Sequence, residues 1–434
     1  MKLECNAFLL LMTALIACGA EYAFKVECDK PAGIYSENEP VVFSADLKQD
    51  GLPCSGTAEC IVRKNGHDVE TMVTAAGKPF TLTSSLDRPG WISVLIRVKG
   101  EDGGYLRQNG EELRAEAGVV VAPEKLSPAM ARPADFDAFW QEQKAALDKV
   151  PFNLKKVEVP VKNEEWRQNF VCYDVSLDTT GPAPVRGYLM LPKNARPKSL
   201  PIIIGFHSYG VFSAWQPGGF GTAITFEMNA HGIPNGMPDS FYRQKARELG
   251  WYPHAGKDSR ENSYIKHMYI RALRALQYLK TLPEWDGKVI VARGGSQGGG
   301  QALALAGLDP DVTLVLADVP ALCDFSAPLQ DRMGGWPQFY GAVNGKPESP
   351  EVADAVAYLD NANFAPNIKA GVYLSCGGCD WLCPPTAVWT CYNMLKSAKS
   401  RDIAFDPHGR HDNRNEKGEK FMWDMLRNEY WHRQ

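Results

Sequence analysis

The sequence predicts an α/β protein built on a mainly parallel sheet covered by helices, preceded by a small all-β sandwich of immunoglobulin-like size. Three observations carry this expectation. From residue 156 to residue 430, short strand-like apolar runs alternate with longer runs at helical spacing, the pattern of helices packed on a parallel sheet. From residue 21 to residue 121 there are only short alternating runs broken by turn-forming stretches. Between the two, prolines at 123, 128 and 133 mark a linker.

The 434 residues are 44% apolar, 10% aromatic and 23% charged, enough apolar side chain for two or three full cores. Disorder, collagen and coiled coil are excluded. With 47 basic and 51 acidic residues the formal net charge is −4, so no strong positive field exists to hold nucleic acid or an anionic membrane.

At the N-terminus, Lys2 precedes an almost unbroken apolar run from Ala7 to Ala17, followed by the small residues Cys18, Gly19 and Ala20. Residues 1–20 read as a secretory signal peptide, and the protein as exported, periplasmic or extracellular. The run is shorter than the roughly 20 apolar residues of a spanning helix, and no later run reaches that length. Leu15-Ile16-Ala17-Cys18 also resembles a lipoprotein processing site, with Cys18 as the residue to carry the lipid. Eleven cysteines are sparse for this length, so a disulfide-dense scaffold is ruled out. In an exported chain Cys28, Cys54 and Cys60 could supply a bridge. Cys376, Cys379 and Cys383 have metal-like spacing, but no second pair completes a tetrahedral set and Pro384-Pro385 follows directly. No metal and no cofactor is expected.

In residues 21–122 the strand-like runs include 41–45, 57–62 and 91–98, separated by turn-forming stretches at 48–53, 64–67 and 100–104. Tyr22, Phe24, Tyr35, Phe43, Phe80, Trp91 and Tyr105 show no spacing that would build a sugar-binding platform, so a spacer role is favoured over carbohydrate attachment. In residues 123–434, helices are expected at 136–147, 262–282, 297–308, 385–398 and 416–430. Strands are expected at 156–161, 169–177, 185–191, 201–206, 223–228, 289–293, 312–316, 371–375 and 402–405.

The sharpest chemical signal is the apolar strand Val289-Ile290-Val291-Ala292 running into GGSQGGG at 294–300, with a helix beginning at Gln297. A serine flanked by glycines where a strand turns into a helix is a nucleophile elbow, because small neighbours permit the strained backbone that lifts the hydroxyl clear. Ser296 is the expected nucleophile. The same turn puts the Gln297 backbone N–H at a helix N-terminus, where it can stabilise an oxyanion. A phosphate-binding loop would need a Gly-Lys-Ser/Thr ending or a GxGxxG order, and neither is present.

A serine nucleophile of this kind needs a base and an acid, and on such folds they follow in the order serine, acid, histidine. Asp380, just beyond the strand at 371–375, is one acid; Asp318, Asp324, Asp331 and Asp360 are rivals. The order leaves His408 and His411 as bases, both following the strand at 402–405, while His432 falls in the terminal helix. Spacing alone does not separate the two.

Several linked motifs resemble the acetyl xylan esterase and cephalosporin C deacetylase family over residues 130–434. They are GGSQGGG at 294–300, DVPALCDF at 318–325, CDWLCPP at 379–385 with Tyr392-Asn393, and Phe136 with Phe139-Trp140. The resemblance implies an α/β-hydrolase that removes acetyl groups from sugar esters without metal or cofactor. It places Ser296 on the family's nucleophile, Asp380 on its acid and His411 on its base, leaving His408 a bystander. It also places a second oxyanion donor on the backbone N–H of Tyr209, in FHSYG at 206–210. Three departures flank the expected pocket: His207-Ser208-Tyr209 for His-Gly-Tyr, His231-Gly232 for arginine-glycine, and Arg271 for a frequent aspartate.

The partner expected is therefore a small-molecule or polysaccharide acetyl ester, with no nucleic acid and no integral membrane span. Residues 324–344, with Trp336, Phe339 and Tyr340, are either a lid over the acyl pocket or ordinary packing. Two other readings belong to different classes. A prolyl-oligopeptidase-like peptidase shares a GGS elbow but needs a propeller larger than residues 21–122. A sugar-binding protein with an inactive hydrolase domain would have no need to keep serine, acid and histidine in order.

Overall fold

The computed structural model describes residues 21–218, 222–341, 343 and 345–430. The expected signal peptide, Cys18 and His432 lie outside the described residues, as do Ala342 and Asn344 of the expected lid segment. No described helix is long and apolar enough to cross a membrane.

Among the described residues the N-terminal part holds eleven strands: β1 (Tyr22–Cys28), β2 (Ile34–Tyr35), β3 (Val41–Gln49), β4 (Leu52–Pro53), β5 (Thr57–Lys64), β6 (His67–Ala75), β7 (Phe80–Ser84), β8 (Gly90–Lys99), β9 (Arg107–Gln108), β10 (Glu111–Glu112) and β11 (Arg114–Val121). One sheet runs β1-β3-β4 with β7 on β3, the other runs β2-β11-β8-β5-β6, and β9 pairs with β10. Alternate residues such as Val41, Phe43 and Ala45 of β3 and Ile92, Val94 and Ile96 of β8 point inwards and share one core. The bridge expected among Cys28, Cys54 and Cys60 is absent. All three are free thiols, and Cys28 and Cys54 instead donate to the carbonyls of Lys30 and Ser55.

The rest of the chain builds one nine-stranded sheet among the described residues. Its strands are β12 (Lys155–Val159), β13 (Phe170–Leu177), β14 (Val185–Pro192), β15 (Leu200–Phe206), β16 (Ile224–Asn229), β17 (Trp285–Gly295), β18 (Leu314–Asp318), β19 (Gly371–Gly377) and β20 (Ser400–Asp406). Their order is β12-β13-β14-β16-β15-β17-β18-β19-β20. β12 to β14 and the β14–β16 pair are antiparallel; every pair from β16 through β20 is parallel. The helices are α1 (Phe136–Asp148), α2 (Asp239–Leu249), α3 (Tyr264–Leu279), α4 (Gln297–Leu308), α5 (Pro350–Ala357), α6 (Asn361–Phe364), α7 (Pro385–Met394) and α8 (Glu416–Tyr430). α4 and α8 have the bounds expected from sequence. α2, α5 and α6 were not expected: α2 buries only Tyr242, and α6 is a four-residue helix.

Strand side chains alternate between two faces. Ile202, Ile204 and Phe206 of β15 face α1, α3, α4 and α7 in the main core. Ile203, Val291, Leu314 and Leu316 face Met422 and Leu426 of α8. On this second face the helix cover is partial. The connection from β15 to β16, a parallel pair, carries no helix in its described part, although such crossovers usually do. A loop residue, Ala214, covers Cys172, Tyr188 and Met190 there instead.

Candidate active site

β17 ends at Gly295, α4 begins at Gln297, and Ser296 lies between them with φ 55° and ψ −124°. Positive φ in a residue with a Cβ costs roughly 1–3 kcal/mol, so the turn must be held from outside. The holding groups come from the end of β18 and the segment after it. The Ser296 N–H donates to the Asp318 carbonyl at 2.8 Å, and the Ser296 carbonyl accepts from Ala321 N at 3.0 Å. The glycines are steric requirements: a Cβ on Gly298 would lie 2.1 Å from the Phe206 carbonyl oxygen, and one on Gly294 would lie 2.5 Å from the Gly298 carbonyl carbon.

His411 follows β20 and reaches both partners. Its Nε2 lies 2.8 Å from Ser296 Oγ and its Nδ1 lies 2.8 Å from Asp380 Oδ2. A carboxylate accepts, so Nδ1 carries the proton and Nε2 is free to accept from the serine hydroxyl. Asp380 follows β19, and its side chain is fully buried. Its other oxygen accepts from the N–H groups of Leu382 and Cys383, each at 2.9 Å.

The rivals are all engaged elsewhere. Asp318 accepts from Ser375 Oγ and Asn415 N, and Asp324 pairs with Arg332. Asp331 meets His67 and Arg88, and Asp360 accepts from the N–H groups of Asp324, Phe325 and Ala362. His408 lies on the surface, with Nε2 3.1 Å from a Glu27 carboxylate oxygen.

The Gln297 and Tyr209 N–H groups, a first-turn helix amide and a loop amide, have no acceptor among the described residues. The Gln297 side chain is buried and accepts from the Tyr252 hydroxyl. Two histidines that sequence reasoning had placed only near the pocket hold the Tyr209 loop. His231 donates from Nε2 to the Gly210 carbonyl at 2.8 Å and accepts at Nδ1 from the Tyr264 hydroxyl at 2.7 Å. His207 donates from Nδ1 to the Ser208 carbonyl and accepts from Ala230 N. Both rings are buried and neutral; burial pushes them down to about 4 for His207 and about 3 for His231. Arg271 supports the same corner by donating twice to the Ala230 carbonyl.

Ser296 and His411 open into a cavity of about 830 Å³ with Tyr209, Trp215, Trp251 and Trp336 on its wall. Of the expected lid, Trp336 therefore lines the pocket, whereas Phe339 and Tyr340 are buried in the main core. Asp380, Cys383 and His411 also bring ligand atoms within 4.8 Å of one another, the one such grouping among the described residues. Two of its atoms are already spent on the Asp–His hydrogen bond, and burial keeps the Cys383 thiol protonated. Cys376 and Cys379 do not join it.

A serine held in this way can attack an acyl carbon, and the class that mounts it on such a sheet is the α/β-hydrolase esterases. The particular family follows from comparison. The acetyl xylan esterase (AXE1) family profile matches residues 124–425, and the chain belongs to that family. It is 31% identical over 377 residues to "Acetyl esterase Axe7A" of Xylanibacter ruminicola, covering 84% of this chain and 78% of that protein. That share exceeds the part of the chain after residue 122, so the likeness runs into the N-terminal strands. Two solved structures share the fold: an acetyl xylan esterase from Paenibacillus sp. R4 and acetyl xylan esterase 1 from Thermoanaerobacterium sp. JW/SL YS485. Both have TM-scores of 0.57, at 24% and 22% identity; each match covers 70% of this chain, with 97% and 96% of the respective relative.

Proposed function

We propose that the protein is a serine esterase that removes acetyl groups from acetylated carbohydrates, with Ser296 as nucleophile, His411 as base and Asp380 as the acid. The supporting observation is the chain of two 2.8 Å hydrogen bonds from Ser296 through His411 to Asp380. His411 Nε2 takes the hydroxyl proton as Ser296 Oγ attacks the ester carbonyl, and the Gln297 and Tyr209 N–H groups receive the oxyanion. The same nitrogen returns the proton to the departing sugar hydroxyl, leaving an acetyl group on Ser296. Water, deprotonated by His411, then releases acetate. Asp380 keeps Nδ1 protonated and steadies the imidazolium. The exposed rings of Tyr209, Trp215 and Trp251 offer flat apolar faces for the sugar.

The reading includes export through residues 1–20, with lipidation at Cys18 as the anchored alternative. It also includes two domains, residues 21–122 and 123–434, supported by two cores, with Val120 of β11 packing into the second. Acetate release from acetylated xylo-oligosaccharides, compared with longer-chain p-nitrophenyl esters and a proline aryl amide, tests the activity. Acetyl preference is expected; hydrolysis of the amide in place of the esters would contradict it.

A further inference from the structure

Across the α8 face, Glu227 of β16, Gly205 of β15 and Arg293 of β17 occupy one row of strand partners. This row lies between the apolar cluster under α8 and the one under Ala214, beside a connection that carries no helix in its described part. Glycine at 205 is required by its neighbour: a Cβ there would fall 2.3 Å from both Glu227 carboxylate oxygens. The carboxylate thus lies over the strand on the side of Arg293, whose charge acts on it. Arg293, Glu227, Arg414 and Glu419 line the same cavity as Ser296 and His411.

Among the described residues, no hydrogen bond or ion pair joins the side chain of Arg293, Arg414, Glu227 or Glu419 to another protein group. Asp318, also on this wall, is occupied by Ser375 and Asn415. Arg414 is exposed, whereas Arg293 is half-buried on the cavity wall with free donors, and the planar fork of arginine matches a carboxylate. Glu227 compensates the Arg293 charge across Gly205. Its own carboxyl is pushed up to about 7 by burial, so it opposes a bound anion less than an ordinary glutamate would.

We propose that this annex is a carboxylate subsite, in which Arg293 binds a uronic acid unit borne by the same carbohydrate that presents its acetyl group to Ser296. The inference rests on the esterase reading above and names the substrate more closely: acidic, acetylated oligosaccharides over neutral ones. Acetate, the product of that reaction, carries the same chemical group, so the test must separate the two sources.

The experiment compares kcat/KM of the parent and Arg293→Gln on acetylated xylo-oligosaccharides with and without a glucuronic acid branch, with p-nitrophenyl acetate as reference. The parent should prefer the acidic substrate by about tenfold or more, a preference that Arg293→Gln loses while p-nitrophenyl acetate turnover stays the same. Free glucuronate should inhibit the parent competitively, and glucose should not. This second comparison needs no variant and decides the matter if Arg293→Gln fails to fold. If acetate alone inhibits the parent, and does so about tenfold less in Arg293→Gln, the annex holds product and the uronate assignment is overturned. Equal activity on acidic and neutral substrates, with no inhibition by either carboxylate, overturns the subsite altogether. Calorimetric titration of glucuronate into Ser296→Ala reads the annex without turnover, so failure of the esterase reading and failure of the subsite give different results.

Discussion

Trp91 donates its indole N–H to the Gly378 carbonyl, 2.8 Å away, and so ties strand β8 of the sandwich to the turn that carries Asp380. Gly118 of β11 donates to the Pro407 carbonyl at 2.8 Å, in the loop that leads to His411. The Trp91 and Trp381 rings meet at 4.6 Å on either side of this seam. A separate spacer would have no reason to touch both loops.

Gly118→Val tests whether these contacts position the triad. Its Cβ would lie 1.9 Å from the Gly378 carbonyl oxygen, so the turn before Asp380 must move. Turnover should fall about tenfold or more with KM little changed and circular dichroism intact. Parent-like kcat would return the sandwich to a spacer.

His408 and His411 stand three residues apart and make opposite predictions. His408 meets Glu27 and the Glu116 carbonyl on the surface, so His408→Ala should keep turnover within about threefold. His411→Ala should lose on the order of 10⁵ or more, as expected when the base of a serine triad is removed. Steady-state kinetics on p-nitrophenyl acetate compares them directly.

The elbow should tolerate no side chain at 298. Because a Cβ there would meet the Phe206 carbonyl oxygen at 2.1 Å, and backbone cannot swing aside as a side chain can, Gly298→Ala should lower stability by roughly 1–3 kcal/mol and depress activity by more than that loss explains. Denaturant unfolding followed beside activity separates the two effects.

His207 and His231 give a pH signature. Their folded-state pKa values lie below the usual 6.5, so from about 6.5 down to about 4 for His207 and about 3 for His231 the unfolded chain binds more protons and stability falls as pH falls. The contribution is fully present above 6.5. Glu227 and Asp360, both raised to about 7, act in the opposite direction between their ordinary values and 7. Comparison with a variant isolates the histidine share: His207→Gln should lose less stability between pH 7.5 and 5 than the parent does, by roughly 1–3 kcal/mol, in urea unfolding.

The sequence carried the elbow and the principal strands and helices because each rests on local pattern. GGSQGGG after an apolar strand needs no tertiary information, and α4 begins where the glycines place it. Asp380 and His411 were different. Order along the chain left His408 beside His411 and four aspartates beside Asp380, and it took family resemblance to choose among them. Only the packing of β19 against β20 brings together Asp380 and His411, which lie 31 positions apart. Trp91 looked like any strand aromatic, since its partner at 378 is remote in sequence. The Glu227–Gly205–Arg293 row was equally hidden, because three residues from three strands become neighbours only once strand order and register are known.

The most direct test of Ser296 as nucleophile is rapid-quench mass spectrometry of the enzyme during turnover of an acetyl ester. An acetyl group should accumulate on the peptide containing Ser296 in the parent and be absent from Ser296→Ala, which should lose on the order of 10⁶ in turnover. Acetate release by Ser296→Ala at the parent rate, with no acetyl group on Ser296 in the parent, would contradict it.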